Sequence, residues 1–506
     1  MSRISRRDFL KLGSVVTGTL ALSNIAPKLS FGRGPSVPGI VVFVFDAMSA
    51  KNLSLYGYRR KTTPNFERFA QRAVVYNTHY SAASFTTPGT ASLLTGLYPW
   101  THRAINESGL VARDLASQNL FEAVGKGYYR LAFSQNMWPN YFFGQFQSEI
   151  EKILPPAAFS LIDEVYGDKF GTDLLTGHRT FEDFLLQDGV PPASLFFGLA
   201  ERIQMHRAVA RVQDADYPHG IPRTGNYPIF FKLKDMFDGL ISTVNQLRSP
   251  SLAYLHLWSP HAPYIPAAKF WNFFTDQWRP IQKPDHVLGE HILPSQINNR
   301  RRAYDNYIAN LDDEFGRLLD FLEQKGILDQ SYVVITSDHG EFFERGEEGH
   351  VSPLLYDPVV RVPLMISTPG QTSRKDVYAP TVSTDVVPTL AHLIGREIPA
   401  WAEGELLPEL GGSGAPGRSI FMMDAKYNPA FAPLSIASFA MRKDQYKLIY
   451  YKGYEQYNGR DAFELYDMEN DPEEMNDLYS DNPSIAGPLR EELFAKIDSV
   501  NAKYKH

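Results

Sequence analysis

Ile40-Val41-Val42-Phe43-Val44-Phe45 is an unbroken β-branched and aromatic run that ends at Asp46. A strand with no polar face must be covered on both sides, the situation of a central strand in a parallel sheet flanked by helices. Tyr332-Val333-Val334-Ile335-Thr336 is a second such run and stops just before Asp338-His339. A third, Leu252-Ala253-Tyr254-Leu255-His256-Leu257, leads to Pro260-His261. Helical patterns lie at 65–73, 90–94 and 301–325. Strands alternating with helices predict an α/β fold, a large and mostly parallel sheet sandwiched by helices. In such sheets ligands bind beyond the carboxyl ends of the strands, where these polar residues fall.

A chain of 506 residues is longer than one hydrophobic core usually serves. Residues 38–410 read as the main domain. Within it, 140–250 has a different texture, with Phe142, Phe143, Phe146, Phe159, Phe196, Phe197, Phe230 and Phe231 among short helical patterns. That segment reads as an insertion, either a lid over the site or extra helices packed on the sheet. After the Gly-rich stretch 411–417, residues 418–506 alternate like antiparallel strands (436–442, 446–451 and 462–466) and close with a helix over 485–504. They read as a small C-terminal antiparallel subdomain.

Residues 1–31 read as a targeting segment. Ser5-Arg6-Arg7-Asp8-Phe9-Leu10-Lys11 matches the twin-arginine export signal, and a mild apolar run from Leu12 to Ile25 follows, too short and too polar to span a bilayer comfortably. The expected partner is the twin-arginine translocase. The expected location is periplasmic or otherwise extracytoplasmic, with membrane anchoring if the signal stays uncleaved. The chain has no cysteine, so disulfides, thiolate metal sites and a cysteine nucleophile are excluded. A net charge of -7 offers no electrostatic case for nucleic acid.

Asp46 at the end of a buried strand is costly unless paired or bound to a cation. Asp338-His339 can place an oxygen and an imidazole on one ion, and the same dipeptide also fits an ordinary strand-to-loop turn. In Ser84-Phe85-Thr86-Thr87-Pro88-Gly89-Thr90-Ala91-Ser92-Leu93-Leu94-Thr95-Gly96, Pro88 and Gly89 look like a first helical turn with Thr86 or Thr87 as its cap. A hydroxyl there lies near the positive end of a helix, where an anion is stabilised. His261, and His350 in Gly346-Glu347-Glu348-Gly349-His350, are candidates to hold an anion or protonate a leaving group.

Together these blocks resemble the sulfatases of the alkaline phosphatase superfamily, in order, from about Val41 to Leu478. Asp46 with Leu53-Ser54-Leu55-Tyr56-Gly57-Tyr58 and Thr63-Pro64-Asn65 is similar to that family's opening block. Pro88 to Gly96, followed by Tyr98-Pro99 and His102, resembles its signature Cys/Ser-x-Pro-Ser-Arg-Ala-Ser-Leu-Leu-Thr-Gly. His261-x-Pro-Tyr, Asp312, Ser337-Asp338-His339-Gly340-Glu341, Arg361-Val362-Pro363-Leu364 and Asp385-x-x-Pro388-Thr389-Leu390 continue it. Lys447, Glu464-Leu465-Tyr466-Asp467 and Asp471-Pro472-Glu473 resemble its C-terminal part.

The resemblance implies one divalent metal (Ca, Mg, Mn or Zn) on Asp46, Asp338 and His339. It puts Thr86 beside that metal, in the nucleophile position, and His261 and His350 at the substrate's anionic or leaving group. The departures are Ala47 for a second aspartate, Gly89 for serine, Thr90 for arginine, and Phe133-Ser134-Gln135-Asn136 where a lysine and a histidine are common. Threonine cannot be oxidised to the formylglycine aldehyde, because its carbinol carbon carries a methyl group; no formylglycine is expected. A threonine ester also lacks the hemiacetal exit that expels sulfate, which favours phosphate mono- or diesters. Hydrolysis of sulfate or phosphate esters is the first reading, with lipid or glycan as the substrate body. The alternatives are a phosphoglycerol- or phosphoethanolamine-type transferase and a metal-binding relative without catalysis.

Overall fold

The computed structural model describes residues 39–161, 216–225 and 229–504, together with residues 203, 207, 209 and 210. The expected targeting segment 1–31 lies outside the described residues, as do Phe196, Phe197 and much of 140–250.

The strands in chain order are β1 (Gly39–Phe45), β2 (Val74–Tyr76), β3 (His79–Tyr80), β4 (Tyr129–Ser134), β5 (Lys152–Ile153), β6 (Ser251–Leu257), β7 (Ser331–Thr336) and β8 (Phe342–Glu344). Then come β9 (Glu347–Gly349), β10 (Leu364–Ser367), β11 (Lys375–Val377), β12 (Thr381–Val382), β13 (Ser419–Asp424), β14 (Ala437–Lys443), β15 (Tyr446–Lys452) and β16 (Ala462–Asp467). Eight form the main sheet, in the order β11-β2-β10-β7-β1-β6-β4-β5. β1 pairs in parallel with β6 and β7, and β6 with β4, so four neighbouring strands end at one edge. Only β10 opposes its neighbours, running antiparallel to β7 and β2. The fold is the α/β architecture expected from the strand runs.

The central strands bury alternate residues into two cores, as a period of two requires. Val41, Phe43, Phe45, Leu255, Val333 and Ile335 face one core; Ile40, Val42, Val44, Tyr254 and Val334 face the other. The helix Pro294–Gln324 covers the first face through Tyr304, Tyr307, Ile308, Leu311, Phe315, Leu318, Leu319 and Leu322, a stripe at helical spacing. The all-buried helix Thr86–Thr95 lies on the second. Phe142, Phe143 and Phe146 are fully buried in that second core and Phe231 in the first, together with Leu233, Met236, Phe237 and Leu240 of the helix Leu233–Asn245. For these residues the aromatic texture belongs to packing and not to a lid.

β13, β14, β15 and β16 form a separate antiparallel sheet in that order. β13 was not foreseen as a strand, whereas the other three match the expected runs to within a residue or two. Lys447 of β15, wholly buried, bonds Asp357 Oδ1 at 2.9 Å and Glu474 Oε1 at 2.8 Å. No helix among the described residues is long and apolar enough to cross a membrane.

Two histidines are built into the packing as neutral rings. His79 Nδ1 lies 2.9 Å from Thr381 Oγ1, and His102 Nε2 lies 3.0 Å from Ser92 Oγ while its Nδ1 accepts from Ala104 N. Burial pushes each down to about 3, helped by Arg418 near His79 and Arg103 near His102. An unfolded histidine titrates near about 6.5, so between about 6.5 and about 3 the unfolded chain holds protons that the fold refuses. Stability therefore falls as pH drops through that window. Denaturant titrations across it should show a shallower pH slope for His102→Gln than for the wild type; equal slopes would remove His102 as a source of acid lability.

Candidate active site

Four adjacent parallel strands, β7, β1, β6 and β4, deliver their C-terminal residues to one place. Asp46 follows β1 directly, and its N–H donates to Leu257 O at 3.0 Å. Ser337 staples the ends of β7 and β1: its hydroxyl lies 2.6 Å from Phe45 O and accepts from Met48 N at 2.9 Å. Ala47 between them takes a left-handed conformation (φ 60°), unusual for a residue with a Cβ, which brings its N–H 3.4 Å from Asp338 Oδ1.

The helix Thr86–Thr95 comes up from the second core and abuts the end of β7. A Cβ at Gly89 would collide with the carbonyl oxygen of Asp338. That close approach explains why glycine stands where the family signature has serine. The next residue, Thr90, donates to Asp338 Oδ2 at 3.1 Å from the arginine position of the signature. The expected threonine cap is not what forms. Phe85 occupies the cap position with no side-chain bond, and Thr86 is already the first helical residue. Its hydroxyl turns away from the backbone to lie 3.1 Å from His339 Nε2, and Thr87 Oγ1 donates to Glu107 O.

Asp46, Asp338 and His339 are all wholly buried, and one ligand atom from each falls within 4.8 Å of the others. Asp46 Oδ2 accepts from Asn136 Nδ2 at 2.6 Å, while Oδ1 has no hydrogen-bond partner among the described residues and lies 3.3 Å from His339 Nε2. His339 donates Nδ1–H to Gly340 O at 2.8 Å, which leaves Nε2 as the nitrogen that faces Asp46 and Thr86. A ring held by Nδ1, with its Nε2 turned toward a carboxylate oxygen and the Thr86 hydroxyl, is the arrangement of a histidine–carboxylate metal site. Burial alone would depress His339, yet Asp338 and Asp46 hold it up to about 9. Burial works against ionised Asp46 as well, and His256, His261 and His339 outweigh it, so its carboxyl sits well below the usual range. Asp338 is raised, first by burial and then by the charge of Asp46. The pair exerts a strong pull for positive charge.

The structure brings Thr86, His261 and His350 to this cluster too. The His350 ring lies 4.4 Å from that of His339 and 4.7 Å from that of His261. His350 Nδ1 is 2.9 Å from Glu341 Oε1, and His261 Nδ1 donates to Ala262 O at 2.7 Å. Burial lowers both rings. Reading the sequence missed Asn136 and His256. Asn136 follows β4, whose Leu131-Ala132-Phe133 was too short a run to stand out, and it touches both Asp46 and, at 3.5 Å, Thr86 Oγ1. His256 was visible only as an ionisable residue inside an apolar strand; its Nε2 is 3.6 Å from Asp46 Oδ2 and 3.7 Å from Asp338 Oδ2.

The Sulfatase family pattern matches residues 38–396, well over half of the chain. The chain belongs to the sulfatase family. Within that family, the pattern described as N-sulphoglucosamine sulphohydrolase, C-terminal, matches residues 346–503. The chain is 23% identical to N-acetylglucosamine-6-O-sulfatase of Bacteroides thetaiotaomicron, over 92% of this chain and 87% of that protein. It is 28% identical to choline-sulfatase of Rhizobium meliloti over about half of each, 51% of this chain and 52% of the relative. The phosphonate monoester hydrolase of Silicibacter pomeroyi has the same fold, with a TM-score of 0.65 at 18% identity over 91% of this chain and 95% of that one. As a sulfatase-family member the protein is a sulfuric or phosphoric ester hydrolase.

Gly89→Ser puts the family's more usual residue into a space that Asp338 already fills. Overpacking of this kind costs about 1–3 kcal/mol. Equilibrium unfolding of the variant should report a loss in that range; unchanged stability would mean that the helix and the end of β7 separate freely.

Proposed function

We propose that this sulfatase-family protein is a metal-dependent esterase in which Thr86 is the nucleophile, with phosphate mono- and diesters preferred over sulfate esters. The observation that carries the reading is the position of Thr86 Oγ1, 3.1 Å from His339 Nε2 in the Asp46-Asp338-His339 cluster. Asp46, Asp338 and His339 would hold the cation, a role that suits the donor-free Oδ1 of Asp46. Bound there, a divalent ion supplies Lewis-acid charge to the reacting oxygens.

The chain's own residues do the rest. The helix start fixes Thr86 without using its hydroxyl as a cap, and Asn136 holds the approach beside Asp46. Attack by Thr86 Oγ1 on phosphorus forms a threonine–phosphate ester as the bond to the leaving oxygen breaks. Nε2 of His261 or His350, each with Nδ1 already engaged, carries the proton that Thr86 gives up to the departing alcohol. Water then cleaves the threonine ester. Phosphate is favoured because a threonine sulfate has no aldehyde-hydrate exit. A phosphonate monoester hydrolase among the proteins of the same fold supports attack at phosphorus on this scaffold. The sulfatase relatives support a sulfated saccharide or choline-like ester as the competing substrate.

Thr86→Ala should bind metal normally and lose turnover by more than about a thousandfold. Aryl phosphate monoesters, phosphodiesters and aryl sulfates assayed side by side should rank sulfate last. Wild-type rates in the alanine variant would end the covalent route, and sulfate ranked first would end the phosphate preference. Product analysis with an added alcohol separates hydrolysis from transfer.

Export by the twin-arginine route belongs to the same proposal, supported by Ser5-Arg6-Arg7-Asp8-Phe9-Leu10-Lys11. Fractionated cells should show the wild type outside the cytoplasm and an Arg6→Lys, Arg7→Lys double variant inside. Wild-type protein retained in the cytoplasm would count against it.

A further inference from the structure

His256 is fully buried, and neither ring nitrogen has a hydrogen-bond partner among the described residues. An imidazole with both nitrogens unsatisfied is expensive to bury, and proteins rarely keep one without a use. Its place in the sheet supplies the use. On β6 it pairs in register with Val44 of β1, and alternation puts it on the Tyr254 face, the side from which the helix Thr86–Thr95 packs. The ring thus lies beneath the strand ends that carry the carboxylates. Its Nε2 is nearly equidistant from Asp46 Oδ2 (3.6 Å) and Asp338 Oδ2 (3.7 Å), a few tenths of an ångström beyond hydrogen-bond range.

The two oxygens of Asp46 divide the work. Oδ1 has no donor and lies beside His339 Nε2; Oδ2 takes Asn136 Nδ2 and faces His256. Asp338 is fastened by Thr90 and by the N–H groups of Ala47 and His339, none of which donates to the Asp46 carboxylate. Ala47 adds only a methyl group where another carboxylate ligand would otherwise constrain the ion. The His256 ring lies within 4 Å of Oδ2 on both carboxylates, whereas Nε2 of the ligand candidate His339 reaches Asp46 through Oδ1 at 3.3 Å and Asp338 Oδ2 at 3.8 Å.

We infer that His256 is a positioning residue that spans Asp46 and Asp338 from behind. Its Nε2–H fixes the separation and rotation of the two carboxylates, so that their remaining lone pairs converge on a divalent cation. The inference rests on the metal reading of Asp46, Asp338 and His339, and goes beyond it by assigning a non-ligating residue control over affinity. Outer partners of this kind are worth about 10–100-fold in metal affinity.

The test is titration of Mn²⁺ into metal-stripped protein by calorimetry, with pulsed electron paramagnetic resonance to count imidazole nitrogens on the ion. His256→Leu should weaken Mn²⁺ binding by about 10–100-fold while the nitrogen count stays as in the wild type. His256→Gln, whose amide nitrogen reaches the place of Nε2, should bind close to wild-type strength. His256→Asn, whose amide stops short, should bind as weakly as the leucine variant. A purely structural role would not separate glutamine from asparagine. Leucine and asparagine variants that bind Mn²⁺ as tightly as the wild type would overturn the inference, as would loss of an imidazole from the ion in His256→Leu, which would make His256 a direct ligand. Wild-type protein that takes up no Mn²⁺ would overturn the metal reading itself, and the inference with it.

Discussion

Two carboxylates, Asp46 and Asp338, are held at zero exposure at the ends of neighbouring parallel strands, and the rest of the site follows from the cost of keeping them there. An isolated buried carboxylate is several kcal/mol out of place, and a second beside it adds repulsion. The surroundings answer with directed donors, Asn136 on Asp46 and Thr90 and two backbone N–H groups on Asp338, and leave Asp46 Oδ1 beside His339. Asn136 and Thr90 come from segments remote from both acids, and the parallel sheet brings these parts together, since β7, β1, β6 and β4 all end at the same edge.

How far the sequence could be read follows from the same constraint. Strands buried on both faces must be apolar throughout, so β1, β6 and β7 announced themselves, and the charged residues at their ends stood out against that background. Asp46, Asp338 and His339 stood out for this reason, whereas Thr86 was one of two threonines at a helix start and was singled out only by the resemblance to sulfatases. Asn136 was not, because β4 opens with Tyr129-Arg130 and its arginine is buried by Glu151, a partner that only the fold supplies. His256 was hidden by being inside a strand, where periodicity says which face a side chain takes but not what it meets. For Phe142, Phe143 and Phe146 local texture left a lid and helices packed on the sheet as equal readings, and their burial in the second core agrees with packing. The helix start at Thr86 was placed a residue or two late because Pro88 looked like an N1 proline, whereas it occupies the third helical position.

The antiparallel sheet is tied to this edge through polar contacts that no local pattern reveals. Met423 N donates to Ala82 O, and Ser84 Oγ donates to Asp424 Oδ2 at 3.1 Å, so the end of β13 braces the segment that leads into Thr86. Lys426 then reaches Val351 O, next to His350. Lys447 bridges Asp357 and Glu474 in a wholly buried trio, and its charge, aided by Arg361 and Lys51, holds Asp357 down to about 2 against its burial. The second sheet is therefore part of what positions Thr86 and His350.

The departures from the sulfatase pattern become coherent when read as charges. Ala47 removes a carboxylate, Thr90 removes an arginine, and Asn136 stands in the stretch where a lysine is common; the replacements that remain in contact are neutral donors. A hydroxyl or amide orients a carboxylate nearly as well as a cation does but offsets far less of its charge. With Thr90 on Asp338 and Asn136 on Asp46, both carboxylates are fixed in direction while most of their negative charge stays available. That is the electrostatic signature of His339, pulled upward by both acids at once. Among the described contacts, the side chains that donate to these two carboxylates are a hydroxyl and an amide, so neither acid is neutralised by a lysine or an arginine.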